Sequence, residues 1–164
     1  MKQHPFLIAL LPLLLSSCSP TTPKTTTTTT QEESHAGLGE IMLSVQIHHA
    51  KLWFAGKNQN WDLAKYELNE LKECFEDVVA FYPTHKNVPQ PLSALVPTII
   101  TPSLERVTKS IDTKDAVVFT SAFDGLNNSC NGCHEAANHG FNVIKTPDVP
   151  PVTNQVYTPK TMLK

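Results

Sequence analysis

The run Cys130-Asn131-Gly132-Cys133-His134 constrains this chain more than any other feature. Thiols three residues apart share one face of a helix, so both can reach a single planar partner. That spacing suits thioether bonds to the two vinyl groups of one porphyrin, with the adjacent His134 as proximal iron ligand. The cysteines also extend an apolar stripe. Ala116, Phe119, Phe123, Leu126, Cys130, Cys133 and Ala137 recur at steps of three and four, which predicts a helix with both thiols on its buried face. A porphyrin held there sits inside a bundle, near the far end of that helix.

Other chemistries use the same residues less well. A redox dithiol needs its reactive thiol at a helix N-terminus, where the dipole lowers the thiol pKa; here the motif ends a helical pattern. A zinc site from Cys130, Cys133 and His134 or His139 wants a fourth ligand, and no second Cys-x-x-Cys pair exists. A disulfide spanning two residues is sterically poor within a helix. A haem-free metal-binding lipoprotein therefore stands as the remote alternative.

The chain has 164 residues, room for one domain and tails. Met1 to His4 is short and basic, and Pro5 to Leu15 is an apolar run too short to cross a membrane as a helix. Residues 1–17 therefore read as a signal peptide. Leu15-Ser16-Ser17-Cys18 resembles a bacterial lipoprotein cleavage site, with Ser17 where Gly or Ala is more usual. That resemblance implies a mature chain beginning at a lipidated Cys18, anchored on the periplasmic side; Ser19 after it favours the outer membrane. Residues 18–35, with Thr25 to Thr30 consecutive, form a tether that cannot bury apolar surface. Loss of Lys2 with the signal peptide leaves 12 basic against 15 acidic residues, a formal charge of -3. Such a balance lacks the basic patch that nucleic acid requires.

Four helical segments follow. Leu38, Ile41, Met42, Val45, His49, Leu52 and Trp53 mark the first, with Gly56 as its expected C-cap. Asn58 or Asn60 caps the second, which runs through Leu63, Leu68, Leu71, Phe75, Val78 and Tyr82 to Pro83. Asp62, Glu67, Glu70, Glu73 and Asp77 are expected on its solvated face. Lone Cys74 reads as a small buried hydrophobe. A proline-rich link leads to the third, about Leu92 to Ile111, kinked or split near Pro102 with Ser103 capping its second half. Asp112 or Thr113 caps the fourth, Asp115 favours its positive end, and Gly140 ends it. Residues 36–145 make the helical domain, and the proline-rich residues 146–164 a tail that wraps the surface or stays disordered.

Short links predict an all-α, antiparallel up-down four-helix bundle. A bundle whose one haem motif, Cys130-x-x-Cys133-His134, lies in the last helix resembles the class II c-type cytochromes, the cytochrome c′ type. The prolines of the third helix and of the tail depart from that pattern. In such a bundle the late part of the fourth helix faces the early and middle part of the first. Two candidates for the distal iron position lie there: His49, preferred because Val45 and Leu52 share its side, and Met42. His48 sits about 100° from His49 around the helix, so one of that pair points inward. His139 is expected on the haem-bearing helix itself, and His85 in solvent with a distant reach to a propionate. Trp53, Phe119 and Phe123 are candidates for packing on the porphyrin, although such spacings are core first.

The resemblance implies three outcomes: methionine ligation, an open iron that binds nitric oxide or carbon monoxide, or a bis-histidine haem of lower potential. The sequence points to a lipid-anchored carrier of one covalent haem c that moves one electron to or from a redox partner protein of unspecified identity. Gas binding at an open iron is the alternative. No arrangement of distal acid-base residues suggests an enzyme. Members of the resembled family often pair through their first two helices, which leaves a homodimer open.

Overall fold

The structure, a computed structural model, describes residues 35–163. The signal peptide, Cys18 and most of the Thr-rich tether lie outside the described residues. Those described are helical or irregular, with no strand among them. The fold is all-α. α1 spans Leu38–Lys57, α2 Trp61–Phe81, α3 Leu92–Leu95, α4 Thr101–Asp112 and α5 Ala116–Ala136. A π-helical turn, Val96–Ile100, joins α3 to α4 without a break in the chain's helical course. No helix among the described residues is long and apolar enough to cross a membrane.

Local chemistry sets the helix ends. The Glu40 carboxylate reaches back to accept the Gly37 N–H at 2.9 Å. Asn60 caps α2 by accepting from Leu63 N. Asp115, rather than Asp112 or Thr113, caps α5, its Oδ1 accepting from Val117 N at 2.9 Å and Val118 N at 3.0 Å. Beyond α1, α4 and α5 the chain passes through Gln59, Lys114 and Asn138, with φ of 57°, 54° and 61°. These left-handed residues turn the backbone out of the helix, the role glycine more often fills. Accordingly Gly56 does not cap α1 and Gly140 does not end α5.

Gly56 has a different task. A Cβ built on it would lie 2.1 Å from Phe119 Cζ, so its bare backbone admits the Phe119 ring between α1 and α5. Around that contact Trp53, Trp61, Phe119 and Phe123 form an aromatic cluster with ring centroids 5.0 to 6.2 Å apart, within the range for favourable tilted and edge contacts.

The third helical region is where the prolines act. Pro97 and Pro102 each lack an N–H, and a proline ring clashes with the carbonyl four residues back. The chain answers by widening: Thr101 N bonds to Val96 O across five residues. Ser103 is buried inside α4, where its hydroxyl donates to Ile100 O at 2.7 Å rather than capping a helix.

α1 packs along α2, and α4 along α5; α5 also meets α1 and the π turn. The predicted stripe of α5 is the buried one, with Phe119, Phe123 and Leu126 fully enclosed. Cys74 is half-buried against the core. Glu67 departs from the expected solvated face: it is wholly buried, its Oε2 2.8 Å from His48 Nδ1 and its Oε1 2.6 Å from Lys51 Nζ. Both partners stand on α1, which shows why an acidic residue inside the α1–α2 interface is tolerated: a buried carboxylate needs paired charge. The tail beyond Thr146 is irregular apart from a 3-10 turn at Lys160–Met162, yet Tyr157 is buried against Phe54 at 5.6 Å between ring centroids.

Candidate functional site

Between the amino-terminal half of α1, the carboxyl end of α5 and the link before α3 lies a cavity of about 580 Å³. Its size falls in the range of roughly 300–1,000 Å³ usual for pockets that hold small molecules and cofactors. α1 contributes Leu38, Met42, Val45 and His49; α2 contributes Phe75 and Val78. Leu92, Val96 and Ile100 come from α3 and the π turn, so the proline-induced widening shapes this wall. α5 and the segment after it supply Cys130, Cys133, His134, Ala137, His139, Asn142 and Ile144. All five haem-site residues named from the described sequence, Met42, His49, Cys130, Cys133 and His134, thus meet around one mostly apolar space. Trp53, Phe119 and Phe123 do not line it; they pack in the aromatic core beyond.

Cys130 and Cys133 are free thiols, the first buried and the second half-buried. Burial, with the Cys133 thiol close by, pushes the Cys130 thiol up to about 12, and burial raises Cys133 as well. Thiols held protonated are poor redox nucleophiles, which speaks against a dithiol exchange site. Among the described residues no three His, Cys, Asp or Glu side chains group as a metal-holding set.

The imidazole of His134 is oriented by the chain that follows it. Ala137 N bonds to Cys133 O and His139 N to His134 O, and Asn138 in the left-handed region turns the backbone round. The segment then returns along α5, where His134 Nδ1–H donates to Asn142 O at 2.6 Å. This bond fixes the tautomer with the lone pair on Nε2, the arrangement that metal-binding histidines use. Asn131, between the two cysteines, holds the return with both ends of its amide on the Ile144 backbone.

His49 is buried, and burial lowers its pKa to about 4, so the ring is neutral. Its Nε2–H donates to Asn127 Oδ1 at 2.8 Å; Asn127 Nδ2 donates to Thr146 Oγ1 at 2.7 Å, and that hydroxyl donates to Asp124 Oδ1 at 3.3 Å. One ring nitrogen of the preferred distal candidate is thereby committed to protein. Met42, half-buried on the cavity wall, carries no such bond. His48 faces α2 through Glu67, while His49 faces α5, so the two adjacent imidazoles serve different interfaces. His139 lies beyond the end of α5, not on it, and donates from Nδ1 to Ala137 O at 2.7 Å. His85 is not in free solvent: it lines the cavity, and its Nδ1 is buried.

Sequence reasoning missed Asn127, Asn131 and Asn142. Asn127 interrupts the apolar face between Phe123 and Cys130, a polar residue at a core register, and that position is itself a signal of a buried hydrogen bond. Nothing local marks Asn142, which acts through a backbone carbonyl.

Two thiols on one helix face, an imidazole presenting Nε2 and an apolar cavity could together hold a covalently attached haem. No protein-family model, curated protein or solved structure matches the chain.

Proposed function

We propose that this chain is an exported, lipid-anchored mono-haem c-type cytochrome that carries one electron on the periplasmic side. The observation that carries the reading is the convergence of Cys130, Cys133 and His134 with Met42 and His49 on one cavity of about 580 Å³. Covalent attachment falls to Cys130 and Cys133 and proximal ligation to His134, whose Nδ1–Asn142 bond would keep Nε2 on the iron and raise its basicity. When bound, the haem supplies a one-electron couple whose potential is set by its axial ligands and burial. The apolar side chains of α1, α2 and the π turn would exclude water from it.

The same proposal places the helices as an antiparallel up-down bundle of the class II cytochrome type, with α3, the π turn and α4 as its third member. The neighbourhood of early α1 and late α5 at the cavity supports this. Cys18, outside the described residues, would hold the lipid, with residues 18–35 as tether.

The test is an absorption spectrum of protein made with a c-type maturation system, oxidised, reduced, and reduced under carbon monoxide. Covalent haem that survives denaturation, and its loss in Cys130→Ala/Cys133→Ala, are expected. His134→Ala should abolish the native spectrum; an unchanged spectrum would remove His134 from the iron. Absence of any haem band would overturn the reading. Rapid carbon monoxide binding by the wild type would replace electron transfer with binding of nitric oxide or carbon monoxide at an open iron.

A further inference from the structure

Four histidines line the cavity, and three have a ring nitrogen committed to protein: His49 to Asn127, His134 to Asn142 O and His139 to Ala137 O. His85 differs. Among the described residues it is the one cavity histidine with a buried ring nitrogen that has no hydrogen-bond partner. A buried polar atom left unpaired is costly, so a fold that keeps one beside a cavity leaves it for whatever fills that cavity.

The backbone around His85 is built to hold it. Pro83, Pro89 and Pro91 restrict the link between α2 and α3. Val88 N bonds to His85 O at 2.9 Å, and Ser93 N closes the loop on Pro83 O at 3.2 Å. His85 thus stands on the wall made by this link, whereas His134 stands on the α5 wall. Its ring torsion is broad and two-fold, so a turn about that bond presents either nitrogen to the interior.

From this juxtaposition we infer that His85, rather than His49 or Met42, supplies the second axial ligand of the haem iron. The inference rests on the haem reading above and assigns that site's open coordination position. A bond to a haem propionate would also satisfy an imidazole, but carboxylates keep to the solvent edge of a site because burying their charge is costly. The unsatisfied His85 nitrogen is buried, which places its partner inside. Neutral imidazole is a ligand of choice for iron.

The experiment compares holoprotein of the wild type with His85→Ala, His49→Ala and Met42→Ala by absorption, electron paramagnetic resonance and carbon monoxide titration, with circular dichroism to check helix content. The wild type is expected to be low-spin with two nitrogen ligands. His85→Ala should turn high-spin with helicity kept, and its ferrous form should bind carbon monoxide at least about tenfold more tightly, because the competing closed state is gone. Added imidazole should restore the low-spin spectrum of His85→Ala. A low-spin wild type that loses its spectrum in Met42→Ala or His49→Ala, but keeps it in His85→Ala, would overturn the assignment. So would a shift of reduction potential in His85→Ala with the low-spin spectrum intact, which marks a propionate partner, or a wild type that is already high-spin. The ligand-swap and propionate outcomes leave covalent haem and a closed iron in place and so spare the electron-transfer reading. A high-spin wild type keeps the haem but turns that reading to gas binding at an open iron, and a wild type without haem removes both.

Discussion

Asn131 grips Ile144 with both ends of its amide: Nδ2 donates to Ile144 O at 2.9 Å while Ile144 N donates to Oδ1 at 2.7 Å. A side chain inside the Cys-x-x-Cys sequence thus mimics a β-ladder partner and ties the segment after α5 back onto the helix. The same segment carries Asn142, whose carbonyl orients His134. Asn131→Ala strands both backbone groups of Ile144, half-buried, and is expected to destabilise the fold by about 1–3 kcal/mol. Asn131→Asp keeps the acceptor for Ile144 N but sets a carboxylate oxygen against Ile144 O, so its loss should be no smaller than that of Asn131→Ala. Urea denaturation of the three proteins ranks them; equal midpoints would show that the return segment is held by something else.

Gly56 and Phe119 meet across the α1–α5 interface with no room for a methyl group. Helix propensity alone favours alanine over glycine by about 1 kcal/mol. The contact reverses that preference: Gly56→Ala is expected to lose about 1–3 kcal/mol through overpacking. Thermal unfolding of Gly56→Ala and of the double variant Gly56→Ala/Phe119→Leu checks this: the smaller aliphatic side chain is expected to recover part of the loss.

The wholly buried Glu67 depends on Lys51 and His48. Lys51→Met removes one partner and leaves the carboxylate under-compensated, at a cost of about 3–5 kcal/mol. Replacing both members with apolar residues of similar volume, Lys51→Met/Glu67→Leu, should cost much less than Lys51→Met alone. Additive losses in a denaturation cycle would contradict the pairing.

Tyr157 presents the reverse case. Its hydroxyl is buried without a hydrogen-bond partner, and burial, with the Glu67 carboxylate nearby, pushes the phenol's pKa up. Tyr157→Phe is expected to leave stability unchanged or raise it by up to about 1 kcal/mol, since it removes an unsatisfied group and keeps the ring on Phe54. Tyr157→Ala should be destabilising by about 3 kcal/mol or more. A marked loss in Tyr157→Phe would reveal a bond of the hydroxyl that the fold conceals.

His49 and Asn127 are joined inside the bundle, and Asn127→Leu should cost about 1–3 kcal/mol by leaving the imidazole Nε2–H unpaired. His49→Leu combined with Asn127→Leu removes both polar partners and should recover much of that loss. Equilibrium unfolding of the single and double variants measures the coupling, and a coupling near zero would show that the bond contributes nothing.

What the sequence determined by itself is what local periodicity and stereochemistry carry. The stripe from Phe119 to Ala137 placed both thiols on the inner face of α5, because residues at steps of three and four share a side of any helix. Pro97 and Pro102 announced a disturbed third helix, because a missing N–H needs no tertiary context to be felt, and Asn60 announced the start of α2. Only the tertiary structure decided which of several compatible local choices was taken. Glu67 reads as a surface acid until Lys51 and His48 of another helix are beside it. Gly56 reads as a cap until Phe119, far along the chain, occupies the space its missing Cβ leaves. His85 reads as a loop histidine until the link places it on the wall of the cavity that α1 and α5 also line. Each depends on a partner distant in sequence, and the cost of burying charge, volume or an unpaired nitrogen is fixed by that partner, not by the residues alongside.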